Sequence, residues 1–143
     1  MIGNLFLGTL VISATVLIHT FGLMAVTDVM ARLTRRFPMN GHPSRTLAII
    51  ATVLGIFVVM SVEVWLWAIC HYLFGVVDDF ETALYFSTVT FSTIGFGDVL
   101  PHKEWRIFGA LEGINGFLLI GWSTAYLVAA GVRLGPFRSG EHF

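Results

Sequence analysis

The sequence predicts an all-α membrane protein with three spanning helices and a short re-entrant helix between the second and third. Three observations carry that reading. The chain of 143 residues is 56% hydrophobic and only 12% charged, with a mean hydropathy of +0.83, and a water-soluble fold of this size would leave much of that apolar surface facing water. Three stretches, about Leu5 to Val26, Leu47 to His71 and Ile107 to Val132, reach the roughly twenty mostly apolar residues that a span requires. A fourth, Phe80 to Phe91, is too short to cross, because its residues would rise only about 18 Å, near half a bilayer.

The first span lacks a basic start and is followed by arginines, the reverse of a cleaved signal, so it is expected to remain as a helix. Thr9, Ser13 and Thr20 lie roughly on one of its faces and suggest contact with another helix, with the span packing outside the second one. Between these two spans runs a Pro/Gly-containing loop with Arg32, Arg35, Arg36 and Arg45 and no acid after Asp28, and the C-terminal tail adds Arg133 and Arg138 against Glu141. Basic loops stay on the cytoplasmic side. The N-terminus is therefore expected outside and the C-terminus in the cytoplasm, in an integral protein of the cell (inner or plasma) membrane. No span carries arginine at every third residue, so a voltage-sensing helix is not expected, and the few residues after Val132 are too short for a cytoplasmic ligand-binding domain.

The short helix is opened by Asp78 and Asp79 with Glu81 close behind, a capping pattern at the positive end of a helix dipole. The same acids can also raise the local concentration of cations. After the helix comes Thr93-Ile94-Gly95-Phe96-Gly97-Asp98. Successive carbonyls of such a segment can face one axis only if alternate residues take backbone angles that a Cβ disfavours, which is what glycine at 95 and 97 allows. The third span, from about Trp105, holds Gly109, Gly113, Gly116, Gly121 and Gly131. In membranes small residues permit close helix approach.

Thr93 to Asp98 resembles T-V-G-Y-G-D, the selectivity filter of potassium channels, and the order of long helix, short helix, filter and long helix is that of the potassium channel pore-domain family. The resemblance divides the chain into an additional N-terminal helix with a basic loop at 1–43, a pore domain at 44–135 and a short tail at 136–143. Within the pore domain it implies an outer helix, a pore helix at 79–91, the filter at 93–98 and an inner helix at 105–133. It further implies a potassium-selective channel, since stacked rings of carbonyls replace the hydration shell of the ion. One chain supplies one filter segment, so a homotetramer is implied. The carbonyls of Thr93, Ile94, Gly95 and Phe96, with the Thr93 hydroxyl, would hold K+, and Ile94 and Phe96 would point outward. Asp98 would lie behind the filter, bonded to Tyr85, while Gly116 or Gly121 would be the bending point of the inner gate. K+ is the only bound species implied, as the transported ion and not as a cofactor; the other partners are the lipid bilayer and further copies of the chain, with no nucleic acid.

Two departures from the family pattern bear on behaviour. Phe96 replaces the common tyrosine and removes a hydroxyl that braces the filter, a bond worth about 1 kcal/mol. Val89 stands where some relatives place a buried glutamate, which leaves Tyr85 to Asp98 as the expected brace. Two acids fall within spans, Glu63 and Glu112, and a carboxylate at such depth needs protein, water or a partner. Glu112 is expected near Ser87, Thr88 or Thr90, and Glu63 near Asn115; one of them is expected to make opening depend on pH, the alternative being a structural acid. His19 is expected to be an interhelical hydrogen bonder. The histidines form no H-E-x-x-H spacing, and neither a nucleophile elbow nor a phosphate loop occurs, so enzyme activity is not expected. A weakly selective cation channel on the same fold and a non-conducting subunit that modifies another channel remain alternatives.

Overall fold

The structure, a computed structural model, describes residues 2–36 and 42–134. Its helices are α1 (Ile2–Arg36), α2 (His42–Leu73), α3 (Phe80–Phe91) and α4 (Arg106–Leu134), with a single 3-10 turn (Lys103–Trp105) leading into α4. The expected all-α fold is thus observed. The expected tail at 136–143 and the centre of the basic loop lie outside the described residues.

Three of these helices are long and apolar enough to cross a membrane. Their apolar residues are not confined to one stripe: Phe21, Leu54 and Phe117 are among many large side chains left on the outside of the bundle. A helix that is apolar all round belongs in a protein core or in lipid, and this bundle is too small to bury all of that surface within itself.

α1 and α2 run antiparallel, with Gly22 against the methyls of Val59 and Gly55 against those of Val26. α1 and α4 run parallel, through Gly8 against Leu111, a hydrogen bond from the Asn115 amide to Thr15 and one between Thr27 and Tyr126. Here the structure corrects the sequence reading. α1 does not pack outside the outer helix alone but lies in the groove between α2 and α4, and its buried face is Val11, Thr15, His19, Leu23 and Met30. Thr9 and Ser13 face outward, and the hydroxyls of Thr9, Ser13 and Thr20 bond to carbonyls of their own helix, one turn back. A hydroxyl satisfied in this way needs no neighbouring helix.

α2 stops at a glycine. Gly75 takes φ +65, its N–H bonds to the Tyr72 carbonyl, and the N–H of Val76 bonds to the carbonyl of His71 at 2.9 Å, so the last carbonyls of the helix are satisfied. The chain then turns back at once into α3, and the N–H of His102 on the returning segment bonds to the Val76 carbonyl at 3.1 Å. Trp67, Val76, Phe91 and Phe108 belong to one buried cluster with Val11 and Leu119. The amide of Asn4 donates to the Glu104 carbonyl, which puts the start of α1 at the same end of the bundle.

Candidate functional site

α3 begins where the sequence provides a cap. Asp79 has extended backbone, its Oδ1 accepts from the Thr82 N–H at 2.9 Å and its Oδ2 from the Thr82 hydroxyl at 2.6 Å. These bonds from Thr82 hold the Asp79 carboxyl below the usual aspartate range. The helix buries Ala83, Phe86, Ser87, Val89 and Phe91 and ends at Ser92, whose N–H returns to the Thr88 carbonyl. Two more backbone bonds fold the following segment onto the helix end, Thr93 N–H to Thr90 and Gly95 N–H to Val89, each at 3.0 Å.

From there the backbone alternates. Thr93, Gly95 and Gly97 have φ of 63, 55 and 77, while Ile94 and Phe96 between them do not enter the positive region. Alternation of hand lets successive carbonyls point to one side, where a regular strand would send them to opposite sides. A Cβ at Gly95 or Gly97 would meet nothing within 4 Å, so glycine is required there by backbone angle and not by space. Thr93 adopts the left-handed region with a side chain, a strain of about 1–2 kcal/mol. Residues from Thr93 to Asp98 are all exposed on the single chain.

Behind this loop the structure brings Tyr85 and Asp98 together: the tyrosine hydroxyl donates to Asp98 Oδ2 at 2.7 Å, and Oδ1 accepts from the Val99 N–H. The Tyr85 bond holds the Asp98 carboxyl below its ordinary range, and donation to that carboxylate raises the phenol of Tyr85.

Glu112 is fully buried among α2, α3 and α4. Of the three contacts expected for it the structure selects Ser87, whose hydroxyl lies 2.5 Å from Oε1, while Thr88 bonds instead to the Leu84 carbonyl on its own helix. The Ser87 hydroxyl also reaches the Val64 carbonyl at 2.9 Å. One hydroxyl proton serves one acceptor at a time, so the Ser87 hydroxyl donates either to Glu112 or to the Val64 carbonyl. Oε2 meets His71 Nε2 at 2.6 Å. The edge-on rings of Phe86 and Phe108 enclose that imidazole at 5.0 and 5.3 Å, and its Nδ1 has no partner.

Glu63 is not beside Asn115 as expected. Its Oε1 meets His19 Nδ1 at 2.9 Å, both fully buried, and His19 Nε2 lies 3.5 Å from the Ser123 hydroxyl. Asn115 donates to Thr15 at 2.8 Å. The physical reason is α1, which inserts Thr15 and His19, one turn apart, into the cleft between α2 and α4. His19 is the interhelical bonder expected. His71 escaped the sequence reading; its one signal was that a buried acid at Glu112 needs a partner and that few other polar residues lie at that depth.

Four glycines of α4 divide into two kinds. Gly109 and Gly113 lie against Phe86 and Thr90 of α3, and Gly116 is so close to the end of α3 that a Cβ there would overlap the Phe91 carbonyl. Gly121 has open space around it in the single chain.

A family model described as ion channel matches residues 57–133, more than half of the chain. The matched stretch starts within α2 and runs through α3 and the alternating loop to the end of α4, leaving α1 outside it. No curated protein and no solved structure matches. The match coincides with the helices that hold the loop, and the family is the one the loop resembles: this chain belongs to the ion channel family, as an integral membrane protein built on a two-helix pore domain.

Proposed function

We propose that four copies of this chain surround one axis and conduct K+ selectively, the dehydrated ion passing between carbonyls of Thr93, Ile94, Gly95 and Phe96 and the Thr93 hydroxyl. The observation that carries the reading is the alternation of hand at Thr93, Gly95 and Gly97, since only such a backbone turns consecutive carbonyls toward one line. Exposure of Ile94 and Phe96, at 58% and 68%, fits a loop that neighbouring copies would cover. Asp98 and Tyr85 brace the loop from behind. The arginine-bearing ends of α1 and α4 face the cytoplasm of the inner or plasma membrane and the loop faces outside.

In this reading Gly121 is the better hinge, because Gly116 is committed to its contact with Phe91. The Ser87, His71 and Glu112 contacts back the pore helix and link opening to protonation, with Glu63 and His19 as a second such pair. The experiment is K+ flux into vesicles reconstituted with the purified chain, blocked by barium and abolished by Gly95→Ala. A second reading, a weakly selective cation channel, is favoured by Phe96, whose ring lacks a bracing hydroxyl; reversal potentials in mixed K+ and Na+ separate the two. Absence of flux from the purified chain would leave a non-conducting subunit as the function.

A further inference from the structure

At the end of the bundle opposite the filter-like loop, α1, α2 and α4 splay around a cavity of about 390 Å³, within the size range of small-ligand sites. Arg133 stands at its mouth, level with Thr34, and Tyr126 and Thr27 close its floor with a mutual hydrogen bond of 2.7 Å. Floor and mouth are two helical turns apart on both α1 and α4, about 10 Å. Between them the facing side chains are small or apolar, Met30 and Ala130 among them.

The polar groups inside are already used. Thr34 bonds to the Ala31 carbonyl, Thr27 to Tyr126, and Thr52 on the α2 wall to the Ala48 carbonyl. What remains is an apolar interior under one cation, and among the described residues no carboxylate is within ion-pairing distance of Arg133. Asp28 is the only acid among the described residues near this end. An apolar slot about 10 Å deep with a lone guanidinium at the level of the helix ends matches an acyl chain below a phosphate. A headgroup that carries its own cation, such as choline, would bring that cation beside Arg133, so a headgroup with net negative charge is favoured.

We propose that this cavity is a binding site for one anionic phospholipid, with an acyl chain between α1 and α4 and its phosphate on Arg133. Occupancy would tie α1, which lies outside the matched pore domain, to the last two turns of the inner helix.

The test is native mass spectrometry of the purified full chain in detergent, titrated with phosphatidylglycerol or with phosphatidylcholine of the same acyl chains. The wild type is expected to bind phosphatidylglycerol about tenfold more tightly than phosphatidylcholine: both carry the phosphate, and only the second adds a cation that Arg133 repels. Arg133→Gln should erase that preference. Ala130→Leu, which keeps every charge but fills the slot, should weaken both lipids; should that protein not accumulate, Ala31→Leu fills the slot at the same level from α1. Arg35→Gln, outside the cavity, should bind as the wild type does. Wild-type binding by Arg133→Gln, or by both slot-filling variants, overturns the proposal. So does an equal loss in Arg35→Gln, which would mean diffuse attraction to a basic surface, or full displacement of the lipid by glycerol phosphate, which would mean a free anion site. The readout is binding, so it stands apart from whether the chain conducts.

Discussion

Gly116→Ala adds one methyl group where α4 crosses the end of α3, and the atom it strikes is the Phe91 carbonyl oxygen, part of the backbone. No change of rotamer can relieve that overlap. Overpacking of this kind costs about 1–3 kcal/mol, and where backbone must move the upper half of that range applies. Replacing a helical glycine by alanine returns up to about 1 kcal/mol. The net expectation is a loss of about 1–2 kcal/mol, or roughly 5- to 30-fold in the folded-to-unfolded ratio. Equilibrium unfolding in mixed detergent micelles measures it, with Gly121→Ala as control, because a Cβ at 121 meets nothing within 4 Å and should leave stability equal or higher. Flux should fall as well, since Ser92, Thr93 and Gly95 are hydrogen-bonded back onto Thr88, Thr90 and Val89 and must move with the end of α3. If Gly116→Ala unfolds with Gly121→Ala and conducts like the wild type, the close approach of α4 to Phe91 does not constrain the protein and the argument is refuted.

Three further predictions can be checked independently. Asp98 has its pKa lowered by Tyr85, so the contact is fully present above the ordinary aspartate value of 3.8 and is lost only as pH falls through the lowered value; flux should resist outside acid to below that point, and a loss above it that Asp98→Asn abolishes would contradict the pairing. Glu112→Leu leaves Ser87 and His71 facing an apolar side chain and should cost about 2–5 kcal/mol in micellar unfolding, whereas Glu112→Gln should fold and alter the pH dependence of opening; unchanged pH curves in both Glu63→Gln and Glu112→Gln would end the idea of a protonation switch. Phe96→Tyr restores a hydroxyl worth about 1 kcal/mol and should lengthen single-channel open times, so identical records would show that the missing hydroxyl is not what loosens the loop.

Much of this architecture is legible because its causes are local. Hydropathy over twenty residues marks α1, α2 and α4, the Asp79 cap marks the start of α3, and glycine at 95 and 97 marks the backbone angles of the loop. The Tyr85 to Asp98 contact follows from a family spacing carried by neighbouring residues, and the family match over 57–133 includes that stretch. The partner of Glu63 was not legible, nor was the place of α1. Both depend on which face of an all-apolar helix turns inward, and hydropathy has no stripe to report when lipid and protein interior are equally apolar.

The sequence by itself therefore determined that the chain spans a membrane three times and carries one filter-like loop, because length, apolarity and glycine act within a few residues of themselves. Only the tertiary structure decided that His19 and His71 answer Glu63 and Glu112, that α1 fills the groove beside the inner helix, and that Gly116 is held by Phe91. A buried polar group in an apolar setting is satisfied by whichever partner three-dimensional packing brings within about 3 Å, and sequence separation says nothing of that distance.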